Sequence, residues 1–427
     1  MDPSSSKRPV QQVPADGMQR MKLKTSTATF CVYLCTWNVG GADPPQDFTN
    51  LLNLKAPNLA DIYGIGLQEM STTDSDTVKN AWTSKLLDVL GVRGYILLRA
   101  VRMSGISLQV FVKRNKLLNF TNIETEQTKA GLGGWWGNKG GVSVRFDLNG
   151  VNMIIVNCHL AAHMTNVAER IEDFNMILDT QKFRDEDVDN ILDHDYVFWM
   201  GDLNFRIADK RREEVEKYVK TGKFQTLLMF DQLNESRKEE LLFVDFEEGQ
   251  INLLLLTNLI SKQRIPAWCD RILSLIHEDS FEDITLSMEQ LHYDSHPVYT
   301  LSDHKPVTSA WNFEVFSLPP HPAITFHLKG RWYRNQSCSV NYTMVANADP
   351  ASSSWDWIGL YKSTFKHIMD YETYIYANRG AERKGKAGMT VKFSESSLTI
   401  PSGKYYLCYI SKHKNKLMGM SEEFELV

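Results

Sequence analysis

The sequence predicts a layered α/β domain followed by a small β-sandwich. From residue 27 to about residue 315, strand-like apolar runs alternate with runs of helical spacing, which is typical of layered α/β domains. After the proline-rich break "SLPPHP" at 317–322, short aromatic and β-branched runs are separated by Gly, Ser, Asn and Asp, as in a β-sandwich. We therefore expect domains at 27–316 and 320–427, preceded by a disordered polar segment at 1–26.

The strands predicted in the first domain are apolar runs, most of which stop at a polar residue. They read TFCVYLCTWNV, DIYGIGLQEM, ISLQVFVK, GVSVRFDL, VNMIIVNCHL and DYVFWMGDLN. Helical spacing predicts helices in PQDFTNLLNL, DTVKNAWTSKLLDVLG and VAERIEDFNMILDTQKF. In the second domain, the predicted strands are AITFHL, SCSVNYTMV, WIGLYK, YETYIYA, MTVKF and KYYLCYIS, and no amphipathic helix is expected.

The composition is that of an ordinary globular protein, with 43% hydrophobic and 23% charged residues among 427. The net charge of -5 and the pI near 6.1 exclude a generally basic nucleic-acid binder. The six scattered cysteines predict buried free thiols in a reducing compartment. The most apolar run, "INLLLLTNLI", is only ten residues long, and no apolar leader is visible. We expect a cytoplasmic protein without a transmembrane segment or nucleic-acid partner, whose contact with membranes is peripheral.

Polar side chains lie at the ends of four of the apolar runs and in two further segments, IPAWCDR and YTLSDHKPV. They are Asn38, Glu69, His159, Asp202 with Asn204, Asp270 with Arg271, and Asp303 with His304. One such residue is usually a turn cap, but strand ends of a layered α/β domain meet at one edge, so six of them indicate a site. Carboxylates suit Mg²⁺, and histidines can donate to phosphate oxygens. The set predicts metal-assisted hydrolysis of a phosphate ester by water.

Other hydrolase classes lack their motifs in this sequence. There is no Gly-x-x-x-x-Gly-Lys-Ser/Thr loop and no Gly-x-Ser-x-Gly elbow. No cysteine lies where a phosphocysteine nucleophile is needed. An attack by water therefore remains the predicted chemistry.

The motifs "FWMGDLNFR" and "RIPAWCDRIL" resemble the two signature motifs of the inositol polyphosphate 5-phosphatases. "CTWNVGG", "GLQEM", "GGWWGNKGGV", "NCHLAAH" and "LSDHKPV" match that family in the same order, so the resemblance covers residues 30–315. "SSSWDWIGLYK" and "GKYYLCYISKHKNKLMGMSEEFEL" resemble the SKICH domain, which follows the catalytic domain in a subset of the family. The resemblance implies a deoxyribonuclease-I-like, four-layered α/β sandwich followed by an immunoglobulin-like SKICH sandwich.

The resemblance implies removal of the 5-phosphate from phosphatidylinositol 4,5-bisphosphate, phosphatidylinositol 3,4,5-trisphosphate and soluble inositol polyphosphates, which damps phosphoinositide signalling. Mg²⁺ is the implied cofactor. Glu69 is then its principal ligand, with Asn38 and Asp303 close by. Asp202 positions or deprotonates the attacking water, and Asn204 helps to hold this water and the phosphate.

The family pattern also gives roles to the remaining strand-end residues. His304 contacts the scissile phosphate, and Asp270 orients its imidazole. His159 and Arg271 support these groups. These roles agree with the chemistry, since a dianionic phosphate needs its charge neutralised and a water placed in line.

Two basic motifs are expected to bind the rest of the substrate. Asn138 and Lys139 in "GNKGG" reach the lipid phosphate in the family, and Lys262 and Arg264 in "KQRIPAW" align with the pair that binds the 4-phosphate. Read alone, "GNKGG" is also compatible with an ordinary hairpin turn, and the basic pair with solvated charges. Relatives carry a Thr-Tyr-Lys segment and a polar turn before this pair, whereas this chain has the shorter "FEEGQINLLLLTNLIS". We therefore expect weakened activity.

Two alternatives stay open. One is a metal-dependent nuclease of the same fold, against which the acidic balance and "RIPAWCDR" argue. The other is a catalytically impaired scaffold that binds phosphoinositides or partners. For the phosphatase, we expect protein partners through the SKICH domain and peripheral recruitment to the endoplasmic reticulum or the plasma membrane.

Overall fold

The computed structural model describes residues 26–73, 76–131, 138–251, 265–282, 284–317, 322–345, 355–377, 382–384, 388–411 and 416–427. Apart from Ser26, the predicted disordered segment lies outside these residues. The chain forms two compact units. Among the described residues, the first consists of those within 26–85, 99–111 and 124–317, and the second of those within 86–98, 112–123 and 322–427.

Two six-stranded sheets contain the first twelve strands. These are β1 (Thr27–Asn38), β2 (Ile62–Gln68), β3 (Tyr95–Met103), β4 (Ile106–Lys113), β5 (Phe120–Ala130), β6 (Lys139–Leu148), β7 (Val151–His159), β8 (Tyr196–Asp202), β9 (Glu247–Glu248), β10 (Asp270–Ile276), β11 (Met288–Ser295) and β12 (Val307–Phe316). The orders are β11-β12-β1-β2-β4-β3 and β5-β6-β7-β8-β10-β9. All six strands predicted in this part of the chain are confirmed to within about two residues at either end.

The register of the second sheet aligns three polar strand ends. Strands β7 and β8 are parallel with His159 opposite Asp202, and β10 is antiparallel to β8 with Asp270 also opposite Asp202. Laterally paired residues point to the same face of a sheet. The three side chains therefore converge on the face that meets the first sheet.

The two sheets pack face to face, and glycines in β2 allow a close approach. A Cβ atom at Gly66 would lie 2.6 Å from the Asn157 side chain of β7. Only a residue without a side chain fits there. The Asn157 amide instead accepts a 2.6 Å hydrogen bond from Gln68 Nε2, which joins the two sheets directly behind Glu69. Both amides are buried.

Five α-helices accompany these sheets in the described part of the chain. They are α1 (Ala81–Gly91), α2 (Val167–Thr180), α3 (Arg212–Lys220), α4 (Phe224–Leu228) and α5 (Gln232–Lys238). Helix α2 covers the outer face of the second sheet, where the Phe174 ring lies 5.0 Å from the Trp199 ring. Trp82 of α1 contacts Trp37 of β1 edge-on at 5.5 Å. Helices outside and sheets inside form the expected four-layered α/β sandwich.

The helix predicted at 45–54 is wrong, because this stretch forms successive turns. The Asp47 carboxylate accepts from the Thr49 backbone N–H, which favours a turn over a continuing helix. Asn53 has a left-handed backbone with φ 48°, which ends any helical run. Apolar spacing alone could not reveal either feature.

The helix predicted at 76–91 begins five residues later, at Ala81. The Asp76 carboxylate accepts from the N–H groups of Val78 and Lys79 and so forms a turn. Asn80 then caps the helix, because its Oδ1 accepts from Thr83 N at 2.9 Å. Helix α2 agrees with its prediction except that it ends at Thr180.

The described part of the chain after residue 322 contains nine strands and no α-helix. They are β13 (Ile324–His327), β14 (Cys338–Met344), β15 (Trp357–Lys362), β16 (Tyr371–Tyr376), β17 (Glu382–Lys384), β18 (Gly388–Phe393), β19 (Gly403–Ser411), β20 (Lys416–Met420) and β21 (Phe424–Leu426). One sheet has the order β13-β14-β18-β17 and the other β16-β15-β19-β20, with β21 paired to β19. Their inner faces share one core, in which Trp332 contacts Phe393 and Tyr342 contacts Tyr409. The predicted β-sandwich is confirmed. Among the described residues, no helix has the length and apolarity needed to cross a membrane.

Candidate active site

The site is built at the point where β7, β8 and β10 present their aligned polar ends. His159, Asp202 and Asp270 are each at most 3% exposed. Gly201 allows this arrangement, since its φ is +147° and a Cβ there would lie 2.0 Å from the Cys158 carbonyl oxygen. The strand thus continues through Gly201 and delivers Asp202 into a buried cluster.

The first sheet contributes Asn38 and Glu69. Asn38 Nδ2 donates to Asp202 Oδ2 at 2.9 Å and to Glu69 Oε1 at 3.0 Å, so one amide joins the two carboxylates. The Glu69 side chain is 53% exposed and lies 3.9 Å from His159 Nε2. Glu69 also has a positive φ of 53°, a strained backbone that is enriched at functional sites. The buried and exposed carboxylates together form an acidic pair facing solvent on one side.

His304 and Asp270 form a buried ion pair beside Asp202. His304 Nδ1 lies 2.7 Å from Asp270 Oδ2, and His304 Nε2 lies 3.9 Å from Asp202 Oδ2. Burial disfavours the imidazolium, but the carboxylates of Asp270 and Asp202 outweigh it and raise the pKa of His304 to about 9. Burial raises the pKa of Asp270 to about 6, although His304 opposes this. At neutral pH both members of the pair are therefore charged.

Asp202 is held as a carboxylate in the same cluster. Burial acts to raise the pKa of Asp202, but the neighbouring His304 and His159 outweigh it and hold this pKa well below its usual range. Burial also lowers the pKa of His159, which favours the neutral imidazole. Asp202 thus carries a charge that does not depend on pH near neutrality.

Asn204 and Arg206 follow in the same loop. Asn204 has a φ of 58°, and its N–H donates to Asp202 Oδ1 at 3.1 Å. Its side chain is fixed at both ends, because Nδ2 donates to the Leu160 carbonyl and Oδ1 accepts from Arg206 Nη2 at 2.6 Å. Sequence reasoning gave Arg206 no role, although this arginine closes the motif "FWMGDLNFR". The structure makes it the residue that sets the orientation of the Asn204 amide.

Lys139 reaches the site from the start of β6. Its Nζ lies 2.5 Å from His159 Nε2, which in turn lies 3.3 Å from Asp202 Oδ2. Burial lowers the pKa of Lys139, while Asp202 and Glu69 act to raise it. Its predicted neighbour Asn138 lies in a turn and is exposed.

The structure does not bring Arg271 to this cluster. Adjacent residues of a strand point to opposite faces, so Arg271 lies across from Gly201 on the other face from Asp270. Its fully buried guanidinium binds Glu248 through two bonds of 2.6 and 2.5 Å and Asp231 at 2.9 Å. Its contacts are those of a buried structural ion pair.

One of the remaining predicted site residues lies near the site, and the others lie outside the part of the chain that the structure describes. Asp303 precedes His304, is partly exposed, and acts with Asp270 and Asp202 to raise the pKa of His304. Lys262, Arg264, the leucine run before them and the tryptophan pair of "GGWWGNKGG" lie outside the described residues. The expectation of weak activity from the short loop therefore stays a prediction.

The site offers oxygen donors that suit a divalent cation. The donor atoms of Asp202, Asp270 and His304 lie within 4.8 Å of one another. Asp270 Oδ1 is buried, and no described residue donates a hydrogen bond to it. Glu69 adds an exposed carboxylate and Asn38 a carboxamide. Hard oxygen ligands of this kind fit Mg²⁺ or Ca²⁺ better than a softer metal.

Comparison with known proteins agrees with this geometry. Residues 35–310 match the model of the endonuclease/exonuclease/phosphatase family 2, and residues 324–426 match the SKICH domain. The chain is 37% identical over 93% of its length to phosphatidylinositol 4,5-bisphosphate 5-phosphatase A of Rattus norvegicus, and it spans 42% of that relative. It is 35% identical over 92% of its length to inositol polyphosphate 5-phosphatase K of Mus musculus, and it spans 89% of that protein.

A solved structure extends the comparison to three dimensions. The inositol polyphosphate 5-phosphatase domain of SPsynaptojanin, in complex with inositol (1,4)-bisphosphate and calcium ion, superposes with a TM-score of 0.61. It is 30% identical, and the match covers 69% of this chain and 87% of that chain. The chain therefore belongs to the inositol polyphosphate 5-phosphatase family, within the endonuclease/exonuclease/phosphatase fold, and carries a SKICH domain.

Proposed function

We propose that this chain is a Mg²⁺-dependent phosphatase that hydrolyses the 5-phosphate of phosphoinositides and of soluble inositol polyphosphates. The observation that carries the proposal is the buried Asp202 carboxylate, which is fixed by Asn38 and faced by His304 at 3.9 Å. A carboxylate beside a cationic imidazole suits the placement of a water against a dianionic phosphate. The names of the relatives support inositol phosphates as the substrate class.

The residues divide the chemistry between them. Asp202 accepts a hydrogen bond from the attacking water and orients it. Because its pKa is held low, it takes the proton only as the phosphorus–oxygen bond forms. His304 keeps Nε2–H for a phosphate oxygen, since Nδ1 is engaged by Asp270. Lys139 supplies a second positive charge. Asn204 helps to hold the water and the phosphate, with its amide oriented by Arg206.

Glu69 is the proposed principal ligand of the cation, with Asn38 and Asp303 close by. When bound, the cation supplies Lewis-acid stabilisation of negative charge on phosphate oxygens. The site fits this role because a solvent-exposed carboxylate lies beside a buried one across the Asn38 amide. We take Mg²⁺ as the physiological cation, because octahedral oxygen sites that retain waters are its usual environment.

The two domains have separate proposed roles. Residues 27–316 are the proposed catalytic domain, and 320–427 the proposed SKICH domain, which binds protein partners and recruits the protein peripherally to membranes. The described part of the sandwich offers no set of acids and histidines close enough to hold a metal, which supports a role outside catalysis. A chain ending at Pro319 is expected to lose its cellular position and to keep its turnover of soluble inositol 1,4,5-trisphosphate, measured where circular dichroism shows an intact fold.

The test of the function is phosphate release from inositol 1,4,5-trisphosphate and from vesicles that contain phosphatidylinositol 4,5-bisphosphate, with Mg²⁺ or with EDTA. The Asp202→Asn variant keeps the size of the side chain and removes its charge. We expect turnover to fall by about a hundredfold to ten-thousandfold in this variant, the range for a group that acts on the transferred proton. Equal activity in both proteins, or release of a phosphate other than the 5-phosphate, would contradict the proposal.

A further inference from the structure

Asp173 of helix α2 is a buried carboxylate to which none of the roles above is assigned. It is 3% exposed, and both of its oxygens accept backbone hydrogen bonds. Oδ1 accepts from Gly131 N at 3.0 Å and Oδ2 from Ala161 N at 2.9 Å. Burial raises the pKa of Asp173, and the two N–H groups act to lower it. One side chain thus connects two chain segments that are far apart in sequence.

Both segments lead to the site. Ala161 comes two residues after His159 at the end of β7, and Gly131 directly follows β5, whose neighbour β6 starts at Lys139. Lys139 and His159 are the two residues in contact at 2.5 Å. Asp173 therefore binds the backbone at the end of β5, beside β6, and in the loop that follows His159.

A second residue of α2 reinforces this hold. Arg170, one turn before Asp173, donates through Nη1 to the carbonyl oxygens of Ala161 at 3.2 Å and His163 at 2.7 Å. The Ala161 residue is thus bound at its N–H by Asp173 and at its C=O by Arg170. Residues three apart on a helix share a face, so one face of α2 fixes the loop after His159.

Asp173 also acts on Lys139 through its charge. Burial lowers the pKa of Lys139, and the Asp173 carboxylate is among the groups that oppose this, together with Asp202 and Glu69. Asp202 and Glu69 lie in the site itself, whereas Asp173 lies on helix α2, which packs beside the site. The Asp173 charge thus favours the ammonium form of Lys139, while both Asp173 oxygens stay bound to backbone N–H groups.

We propose that Asp173 is a positioning residue that places Lys139 for binding the phosphate of the substrate. The proposal rests on the function proposed above, in which Lys139 binds phosphate. Loss of a merely structural buried acid would lower stability alone. Loss of the Asp173 carboxylate is instead expected to weaken the binding of phosphate more than it slows the chemical step.

Asp195 provides the matched control. It is a fully buried aspartate whose Oδ2 accepts a backbone hydrogen bond from Asn152 N at 2.9 Å, at the opposite end of β7 and β8 from the site. Asp195→Asn and Asp173→Asn each replace a buried carboxylate oxygen that accepts a backbone N–H by an amide. Both variants are expected to lose stability. Only Asp173→Asn is expected to change the affinity for phosphate.

The experiment compares kinetics on inositol 1,4,5-trisphosphate with the rise in melting temperature caused by inorganic phosphate. For Asp173→Asn we expect KM to rise about tenfold while kcat changes by less than about threefold, as for the loss of a single ionic contact to phosphate. The phosphate-induced rise in melting temperature is expected to disappear in Asp173→Asn and to remain in Asp195→Asn. If both variants keep the wild-type KM and the wild-type response to phosphate, the proposal is overturned.

A double-mutant cycle shows whether Asp173 acts through Lys139. In a Lys139→Met background, Asp173→Asn is expected to have no further effect on KM, whereas additive effects would overturn the proposal. Should Asp173→Asn fail to fold, Asp173→Ser keeps one acceptor and is measured in the same way. The phosphate response is independent of turnover. A wild-type protein that responds to phosphate through Lys139, with a response that Asp173→Asn abolishes, but that hydrolyses no inositol substrate would refute the proposed function and leave this inference standing.

Discussion

The two ends of the β7–β8 pair contain the same kinds of residues and differ in how these residues meet. At the end opposite the site, His194 uses both ring nitrogens. Nδ1 lies 3.0 Å from the Asn190 carbonyl oxygen, and Nε2 accepts from Arg145 Nε at 3.3 Å. Asp195 and Asn152 bind each other through reciprocal backbone contacts. The His194 ring nitrogens and the Asp195–Asn152 pair are thus engaged by hydrogen bonds at this end.

At the site end, the polar side chains instead lie close together, and a carboxylate oxygen among them receives no hydrogen bond from the described residues. Asp202 and Asp270 lie in one cluster with His304, and no described residue donates to Asp270 Oδ1. Such an arrangement costs stability unless a cation or substrate completes it. Burial of a histidine or an aspartate therefore does not separate structure from function in this molecule. The difference lies in whether the groups around the side chain complete its hydrogen bonds.

Replacing one histidine at each end is expected to separate a loss of catalysis from a loss of stability. His304→Gln is expected to lower kcat/KM by about a hundredfold to ten-thousandfold, since it removes the imidazolium that faces Asp202. His194→Gln is expected to leave kcat/KM unchanged and to lower the free energy of unfolding by about 1–3 kcal/mol, through loss of its buried hydrogen bonds. Phosphate release and urea unfolding of both variants measure the two effects. A loss of activity in His194→Gln would remove the distinction between the two ends.

Arg271 tests whether a buried charge next to the site takes part in the chemistry, because it lies beside Asp270 in sequence but on the other face of the sheet. Arg271→Met leaves Asp231 and Glu248 buried without their cation and is expected to cost about 3–5 kcal/mol of stability. Thermal unfolding measures this loss. At a temperature where the variant is folded, kcat/KM is expected to stay near the wild-type value. A variant that is stable but inactive would instead place Arg271 in the chemistry.

His194 is also expected to make the stability of the protein depend on pH. Burial and the nearby Arg145 lower the pKa of His194 to about 4, below its value of about 6.5 in an unfolded chain. As the pH falls, the unfolded chain binds the proton first. The contribution of His194 is therefore complete above pH ~6.5 and is lost as the pH falls towards ~4.

Between pH 7 and pH 5, His194 is expected to account for about 2 kcal/mol of lost stability. Urea unfolding of the wild type and of His194→Gln at both pH values isolates this share, because all other groups titrate in both proteins. Equal pH dependence in the two proteins would show that His194 accepts a proton in the folded state without cost.

Much of the fold could be predicted from the sequence, because its strands are apolar runs bounded by polar residues. The polar ends of these strands lie at one edge of the two sheets. The helix predicted at 45–54 failed because a backbone conformation, the left-handed Asn53, decided the outcome over apolar spacing. Helices α3 to α5 were not predicted. Helix α3 shows why, since it buries only Val215 and Val219 and so carries a weak apolar period.

The residues of the site also fall into those that the sequence predicted and those that it did not. The structure brings together the predicted Asn38, Glu69, His159, Asp202 and Asn204, and also Asp270 and His304, because strand ends in register converge. Side chains alternate between the two faces along β10, so strand periodicity alone is enough to separate Arg271 from Asp270. Asp173 could not have been found in this way. A charged residue within a helical period is usually solvent-exposed, and only the tertiary structure shows that it binds two distant backbone N–H groups.

The absent side chain of Gly66 has a consequence for how the protein unfolds. Because Asn157 occupies that space and joins the sheets behind Glu69, the distance between Glu69 and His159 is set by the spacing of the two sheets. No segment of the chain can hold this geometry by itself. Hydrogen exchange at the strand ends of the site is therefore expected to require separation of the sheets, so the affinity for phosphate and the global stability should vanish in a single cooperative step.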